Sequence, residues 1–323
     1  MTSPSAAGEP SPALPRQPSS LSRRPSSLSR RPLSRSRRPL SLSRRTLLRR
    51  ACLVAGAVPL AAAIDGVAIT PRRLVTSNHS FGEAASADRL RIVQVSDLHV
   101  HGIGTLERQL LEQLHEAQAD LIVITGDSID RAESLPLLDR LLGEFPRSPR
   151  VLAILGNWEY RSGVGPDQFA HTYARHGIEL LVNQSIELEH HGRTVRITGL
   201  DDILDGRPDA ATALRDGRSL DHHLVLAHCP VSRNTLGLPP EHPASLVLSG
   251  HTHGGQVAPF GVATILPPGC GRYVSGWYRD DGGPPLYVSR GIGTSLLPIR
   301  LGATPELVRI DWGLEDPLQF SAA

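Results

Sequence analysis

The chain has 323 residues, 40% of them apolar, enough for a sizeable packed core. All 34 basic residues are arginine, and 12 of them fall in residues 1–50 with a single acid, Glu9. The remaining 22 arginines face 31 acids in 51–323, a net charge of −9 for that part with histidine taken as neutral, which gives no support to a basic nucleic-acid-binding surface on the folded part.

Residues 1–45 are rich in Ser, Pro and Arg and are expected to be disordered, since such a composition buries too little apolar surface to offset chain entropy. Arginine pairs recur every seven residues at Arg23-Arg24, Arg30-Arg31, Arg37-Arg38 and Arg44-Arg45. Prolines interrupt that spacing and the apolar heptad positions are missing, so no coiled coil is expected. The last pair stands in Ser43-Arg44-Arg45-Thr46-Leu47-Leu48, similar to a twin-arginine export motif, and is followed by the uncharged run Ala51–Ile64. Fourteen helical residues reach about 21 Å, short of a bilayer core of roughly 30 Å, so the run reads as a signal h-region. Ala61-Ala62-Ala63 supplies small residues for cleavage, and Gly66-Val67-Ala68-Ile69 offers an extension into an uncleaved anchor. The expected location is periplasmic or otherwise extracytoplasmic, with the translocase as a transient partner and a membrane or cell-wall surface as a lasting one. Residues 71–88 read as a linker before a domain over 89–323.

Short β-branched runs then alternate with helical stretches. Strands are expected at 90–95, 121–125 and 151–155, and helices at 105–117, 135–142 and 168–176, a βαβαβ beginning with parallel strands and right-handed crossovers. Beyond 178 strands predominate, at 186–189, 195–198, 224–227, 246–248, 286–289 and 307–310. Two packed sheets with helices outside follow from that order.

Polar residues gather directly after the predicted strands, where sites form in α/β sheets. They are Asp97 and His99, Asp127 after Gly126, Asn157 and Glu159 after Gly156, His228, and His251 and His253 followed by Gly254-Gly255. On extended chain, residues two apart face the same way, which would pair Asp97 with His99 and His251 with His253. Carboxylate and amide oxygens mixed with imidazole suit Mn, Fe or Zn. Seven of them, Asp97, His99, Asp127, Asn157, His228, His251 and His253, exceed the needs of one tetrahedral ion and suit two ions sharing Asp127. Cys229 and Cys270 are the cysteines of the folded part. They are open to pairing after export, and Cys229 reads as packing rather than as a ligand.

In order, Asp97-x-His99, Gly126-Asp127, Gly156-Asn157-x-Glu159, His228 and Gly250-His251-x-His253 resemble the signature of the calcineurin-like metallophosphoesterases. Gly199-Leu200-Asp201-Asp202, Gly271-Arg272-Tyr273 and Tyr287-Val288-Ser289-Arg290-Gly291-Ile292-Gly293 are similar to the exported phosphodiesterase subgroup typified by YaeI and YkuE. The resemblance implies a four-layer α/β/β/α sandwich of two mixed sheets. It implies one metal on Asp97, His99, Asp127 and His253, and a second on Asp127, Asn157, His228 and His251. It further implies hydrolysis of a phosphodiester or pyrophosphate bond by a hydroxide bridging the metals. Asp127, Asn157 and His251 would act at the reacting group, and Asn157, Gly254 and Gly255 would hold substrate oxygens.

One position departs from the pattern. The family usually has histidine where Trp158 stands. Indole offers one N–H donor and no proton at neutral pH, so substrates whose leaving group needs no proton are expected. His101 is the nearest histidine in sequence, and its loop context reads as solvent-facing. Gly126–Arg131 echoes protein Ser/Thr phosphatases, but Ala132 and Trp158 argue against that reading. The alternatives are a UDP-diacylglucosamine-type lipid pyrophosphatase and a catalytically weak cell-envelope binding protein. A monomer is expected.

Overall fold

The computed structural model describes residues 62–82, 89–215, 217–280 and 283–314. The twin-arginine motif and most of the apolar run lie outside them. Twelve strands form two six-stranded mixed sheets. The first has the order β1 (Val75–Phe81), β12 (Glu306–Gly313), β2 (Arg89–Val95), β3 (Leu121–Thr125), β4 (Arg150–Ile154), β5 (Ile178–Leu180). The second has the order β10 (Gly276–Tyr278), β11 (Leu286–Val288), β9 (Leu246–Ser249), β8 (His222–Leu226), β7 (Arg193–Gly199), β6 (Gln184–His190). Strands β2 to β5 run parallel, as do β7, β8, β9 and β11. The expected β-α crossovers are α1 (Thr105–Glu116) and α2 (Leu135–Gly143). Helices α3 (Asn157–Arg161) and α4 (Pro166–Ala174) follow β4, and α5 (Ala210–Ala213) follows β7.

The period-2 geometry of a strand explains why these segments are apolar almost throughout. In β2 to β4, Val93, Val95, Ile122, Ile124, Val151 and Ala153 face the helices, packing on Leu110, Leu114, Leu138 and Phe169. Their alternates Leu90, Ile92, Leu121, Val123, Leu152 and Ile154 face the second sheet and meet Val195, Ile197, Leu224 and Leu246. The far side of the second sheet buries Val225, Val247, Leu286 and Val288 under Ala210, Ala213 and Tyr273. The result is the expected four-layer α/β/β/α sandwich. Among the described residues, buried polar contacts cross the dry middle layer. Gln94 Nε2, on β2, donates to Thr125 Oγ1 and to the Ser249 carbonyl, both at 2.9 Å. Tyr287 Oη, on β11, donates to Glu306 Oε1 on β12 at 2.8 Å.

The linker reading of 71–88 is corrected over 75–81. That segment is β1, paired parallel to β12 from Val75↔Glu306 to Phe81↔Trp312. Its sequence, Val-Thr-Ser-Asn-His-Ser-Phe, is mostly polar because it is an edge strand that alternates between half-buried and exposed. Ahead of it the chain is helical at 62–64, then turns through Asp65–Ile69 and Thr70–Arg72 onto the sheet. Residues 83–88 lie outside the described residues. Among the described residues no helix is long and apolar enough to cross a membrane.

Candidate metal centre

Five loops at the C-terminal strand ends meet at one place: those after β2, β3 and β4 from the first sheet, and after β8 and β9 from the second. Backbone hydrogen bonds zip neighbouring loops together. Asp97 N donates to Gly126 O, His99 N to Asp127 O and Val100 N to Ser128 O, each at 3.0 Å, and Gly250 N donates to His228 O at 3.0 Å. Glycine precedes three of the ligand candidates, and at none of the three does anything larger fit: a Cβ on Gly126 would come within 2.7 Å of Gly156 N and His228 Nδ1. A Cβ on Gly156 would land on the Asp127 carboxylate, and one on Gly250 would land on Ser96 Oγ and Asp97 Oδ2.

The structure brings all seven sequence-predicted donors together, and all are buried. Asp127 lies in the middle. Its Oδ2 is 3.1 Å from His228 Nε2 and 3.7 Å from His99 Nε2. On one side, His99 Nε2 and His253 Nε2 are 3.2 Å apart, with Asp97 Oδ1 3.4 Å from His253. On the other, His228 Nε2 and His251 Nδ1 are 3.2 Å apart. The mechanism that aims them differs from the extended-chain expectation. Asp97 (φ 52°), His99 (φ 39°), Asp127 (φ 55°), His251 (φ 74°) and His253 (φ 50°) all have left-handed backbone, so neither Asp-x-His nor His-x-His is a strand. The chain curls at each strand end and wraps its side chains around a point, a strained arrangement typical of sites the surroundings over-determine.

Two ring orientations are fixed from behind. His228 Nδ1 donates to the Thr125 carbonyl (2.8 Å) and His251 Nε2 to the Pro268 carbonyl (2.6 Å). The opposite nitrogens, His228 Nε2 and His251 Nδ1, then face each other, and with His228 protonated its Nε2 donates across that gap in the metal-free protein. A metal ion can take the place of that proton, since the 3.2 Å separation suits two ligands of one ion at about 2.0–2.1 Å. Asn157 Oδ1 and His99 Nδ1 are buried without a hydrogen-bond partner, and for the amide oxygen a metal bond is the fitting use. The donor set therefore fits divalent metal.

The charges agree. Burial works against the Asp127 carboxylate, but the His228 ring outweighs it and holds Asp127 below the usual carboxylate range. Burial, reinforced by Asp127, pushes Asp97 up to about 6. His228 is buried, yet Asp127, Asp97 and Asp202 raise it well above the ordinary histidine value, the mark of a place that attracts positive charge. Burial takes His99 and His251 down to about 4, leaving them neutral and ready as ligands at pH 7.

Several supporting residues had no role assigned from the sequence. Glu159, the last residue of the Gly-Asn-x-Glu motif, is buried beneath the centre. It accepts from Gly156 N, Asp127 N and Ser128 N at 2.8, 2.9 and 2.6 Å. Ser96 Oγ donates to Asp97 Oδ2 (2.6 Å), and Arg300, wholly buried, places Nη2 3.0 Å from His253 Nδ1. The Gly291-Ile292-Gly293 stretch backs the first ligand loop, with Ile292 N on Ser96 O and Gly293 N on Asp97 O. Asp201 and Asp202 hold their own turn, accepting from Tyr160 Oη and Arg207 N and from Leu204 N and Asp205 N, rather than capping a helix. Gly255 borders the cleft, whereas the open side of Gly254 faces Arg290 and Ala303. His101 is engaged with Arg131 and Asp130, outside the cleft. Cys229 and Cys270 are free thiols. Burial and then Asp202, which accepts from Cys229 Sγ at 3.2 Å, push the Cys229 thiol up, so it stays protonated.

A cavity of about 460 Å³ opens over the centre. Asp127, Asn157, His251 and His253 border it below, and Trp158, Leu204, Ile265, Leu266, Leu296 and Leu297 wall it. Trp158 is half-buried at the mouth, with its backbone N–H on Asp127 Oδ1 (2.9 Å) and the Arg161 guanidinium 5.8 Å from its ring.

Carboxylate, amide and imidazole donors converging between two sheets define a metal-dependent hydrolase of phosphoester bonds. The chain belongs to the calcineurin-like phosphoesterase family, which it matches over residues 90–255. It is 32% identical over 254 residues to the uncharacterized metallophosphoesterase YkuE of Bacillus subtilis, covering 74% of this chain and 85% of that one. A transmembrane protein with a metallophosphoesterase domain from Danio rerio is 30% identical over 242 residues, 70% of this chain and 53% of the relative. Among solved structures, a 5'-nucleotidase precursor from Thermus thermophilus is 14% identical with a TM-score of 0.41, covering 69% of this chain and 54% of the other.

Proposed function

We propose that this chain is an exported phosphodiesterase or pyrophosphatase that works with two divalent ions. The observation that carries the reading is the pair of facing ring nitrogens, His228 Nε2 and His251 Nδ1, each aimed by a carbonyl on the far side of its ring. Asp97, His99, Asp127 and His253 would hold one ion and Asp127, Asn157, His228 and His251 the other, with Mn, Fe or Zn suited to the donors. When bound, the ions would activate a water for in-line attack and neutralise charge gathering on the phosphoryl oxygens.

The chain's own residues do the rest. Asp127, from its central position, fixes the spacing of the two ligand groups. Asn157 and the backbone around His251–Gly255 lie where they orient the phosphoryl oxygens. Trp158 and the apolar wall shape the mouth of the cleft. The histidines bordering the cavity, among the described residues, are His251 and His253, both ligand candidates. With Trp158 in the neighbouring position and His101 turned away, no imidazole among the described residues is spare to protonate a leaving group. The substrate class supported is therefore an anhydride or an ester with an acidic alcohol.

The test is metal content together with turnover of bis-p-nitrophenyl phosphate against a dialkyl phosphodiester. Two ions per chain and a preference for the aryl diester of at least about two orders of magnitude are expected, the range general-acid help supplies. Equal rates would overturn the leaving-group argument. Metal binding with no turnover of any diester or of any pyrophosphate-linked substrate would make the chain a binding protein. Export rests on Ser43-Arg44-Arg45 and the apolar run, and replacing both arginines with lysine is expected to leave the protein in the cytoplasm.

A further inference from the structure

Among the described residues, eight large apolar side chains stand exposed, and they fall in three segments. Ile64, Val67 and Ile69 lie in the turn ahead of β1. Phe260, Val262 and Ile265 lie in the loop after the His-x-His motif, and Leu296 and Leu297 in the loop after Gly291-Ile292-Gly293. The three segments adjoin. Arg300 N donates to Gly66 O at 2.9 Å, Ala258 N to Leu301 O at 2.7 Å, and Gln256 Nε2 to Ser295 O at 3.0 Å and Leu297 O at 3.1 Å. The same two loops wall the metal cleft through Ile265, Leu266, Leu296 and Leu297. The exposed apolar face is thus the rim of the cleft on one side.

Folding does not account for this face. Phe260 is fully exposed with φ 57°, and Leu296 is 82% exposed with φ 62°. A bulky apolar residue in left-handed backbone gains nothing from water and nothing from its own conformation. Residues 256–268 and 293–299 contain no charged side chain, unlike the polar rim expected of a protein–protein contact. The uncharged run Ala51–Ile64 ends in the patch, since Ile64 is its last residue, and Arg72 and Arg73 follow as exposed cations.

We propose that this face seats in the surface of a lipid bilayer, with the loops around Phe260 and Leu296 entering the headgroup–acyl boundary and the uncharged sequence that leads into Ile64 as the second anchor. Arg72 and Arg73 then face anionic headgroups. The mouth of the cleft opens at headgroup level. The docking stands independently of the catalytic reading; only the choice of headgroup esters as substrates would rest on that reading.

The test uses the full chain, loaded with metal, and vesicles of phosphatidylcholine with phosphatidylglycerol. Phe260→Trp is expected to shift its added emission to the blue on vesicle binding and to be quenched by lipid spin-labelled near the headgroup. Arg218→Trp, just before β8 at the opposite end of the sheet from the site, is expected to do neither. The pair F260D/V262D, away from the cleft lining, is expected to weaken vesicle binding roughly ten-fold or more. Its metal content and its turnover of the soluble aryl diester should not change. If iodide still reached the indole introduced by F260W on vesicle-bound protein, the proposal would be overturned, as it would by undiminished binding of F260D/V262D. Self-association lost in that variant without any vesicle contact would overturn it in favour of a second copy. Insertion without turnover would sink the catalytic reading alone, and turnover without insertion would sink the docking alone.

Discussion

Glu159 never reaches the cleft, yet the geometry makes it the keystone of two ligand loops, and Glu159→Gln tests that directly. Its carboxylate accepts three buried backbone N–H groups, from Gly156, Asp127 and Ser128, which belong to the loops after β3 and β4. Glutamine keeps the shape but turns an NH2 group toward at least one of those donors. Losing a charged acceptor and stranding a buried N–H together cost about 2–4 kcal/mol, a large share of a typical unfolding free energy of about 5–15 kcal/mol. Urea unfolding of the metal-loaded protein is expected to show that loss, and metal analysis to show less than two ions, because Asp127 loses its backbone support. A variant within about 0.5 kcal/mol of the parent, with both ions retained, would refute the reasoning. The pH dependence adds a second check in metal-free protein. Burial first, then the Asp127 charge, raises Glu159 to about 7. A carboxyl raised above its unfolded value of about 4.3 binds its proton more tightly when folded. Its stabilisation is therefore fully present below that value and lost as pH rises through about 7. The parent's advantage over E159Q should shrink between about pH 4 and 8, by up to about 4 kcal/mol.

Asp127→Asn keeps the side-chain shape and removes the charge shared by the two ligand groups. Steady-state kinetics should show a loss on the order of 10²–10³ or more, and metal analysis fewer than two ions. Trp158→His restores an imidazole at the mouth, and turnover of a dialkyl phosphodiester should rise by about 10²–10⁴ with little change for the aryl diester. Gly250→Ala drives a methyl group into Ser96 Oγ and the Asp97 carboxylate, so calorimetry should show a loss of about 1–3 kcal/mol together with impaired metal binding. Chelation should abolish activity and lower the melting temperature, and adding back Mn, Fe or Zn should restore both, with a stabilisation of about 4 kcal/mol at roughly a thousand times Kd.

The central strands were readable because they are buried on both faces. Leu121–Thr125 is Leu-Ile-Val-Ile-Thr, and its bounds in the sequence and in the structure coincide. The ligand residues were readable for a related reason: strand ends are where apolar runs stop, and Asp, Asn and His there stand out. The strand β1 was not, since an edge strand needs only intermittent burial and its Ser, Asn and His leave no periodic signal. Helix α3 begins at Asn157, inside the motif, and is too short to show a period. The left-handed turns at Asp97, His99, His251 and His253 were hidden because their causes lie elsewhere, in Gly126 O, Asp127 O and the Gly291-Ile292-Gly293 stretch. Glu159 was visible as a motif letter, but its three backbone partners appear only when β3 and β4 lie side by side. The apolar face at Phe260 and Leu296 looked like ordinary loop sequence until folding failed to cover it.

The donor set is divided between two sheets that meet through a greasy layer, with Gln94 and Tyr287 as polar ties across it. Any sideways slip of one sheet over the other would pull His228, His251 and His253 away from Asp97, His99 and Asp127 before much apolar contact was lost. Metal affinity is thus a vernier on the alignment of the layers, finer than melting temperature. A small repacking within that layer, such as Val123→Ala or Ile197→Val, would register first as a change in cation binding, far from any ligand.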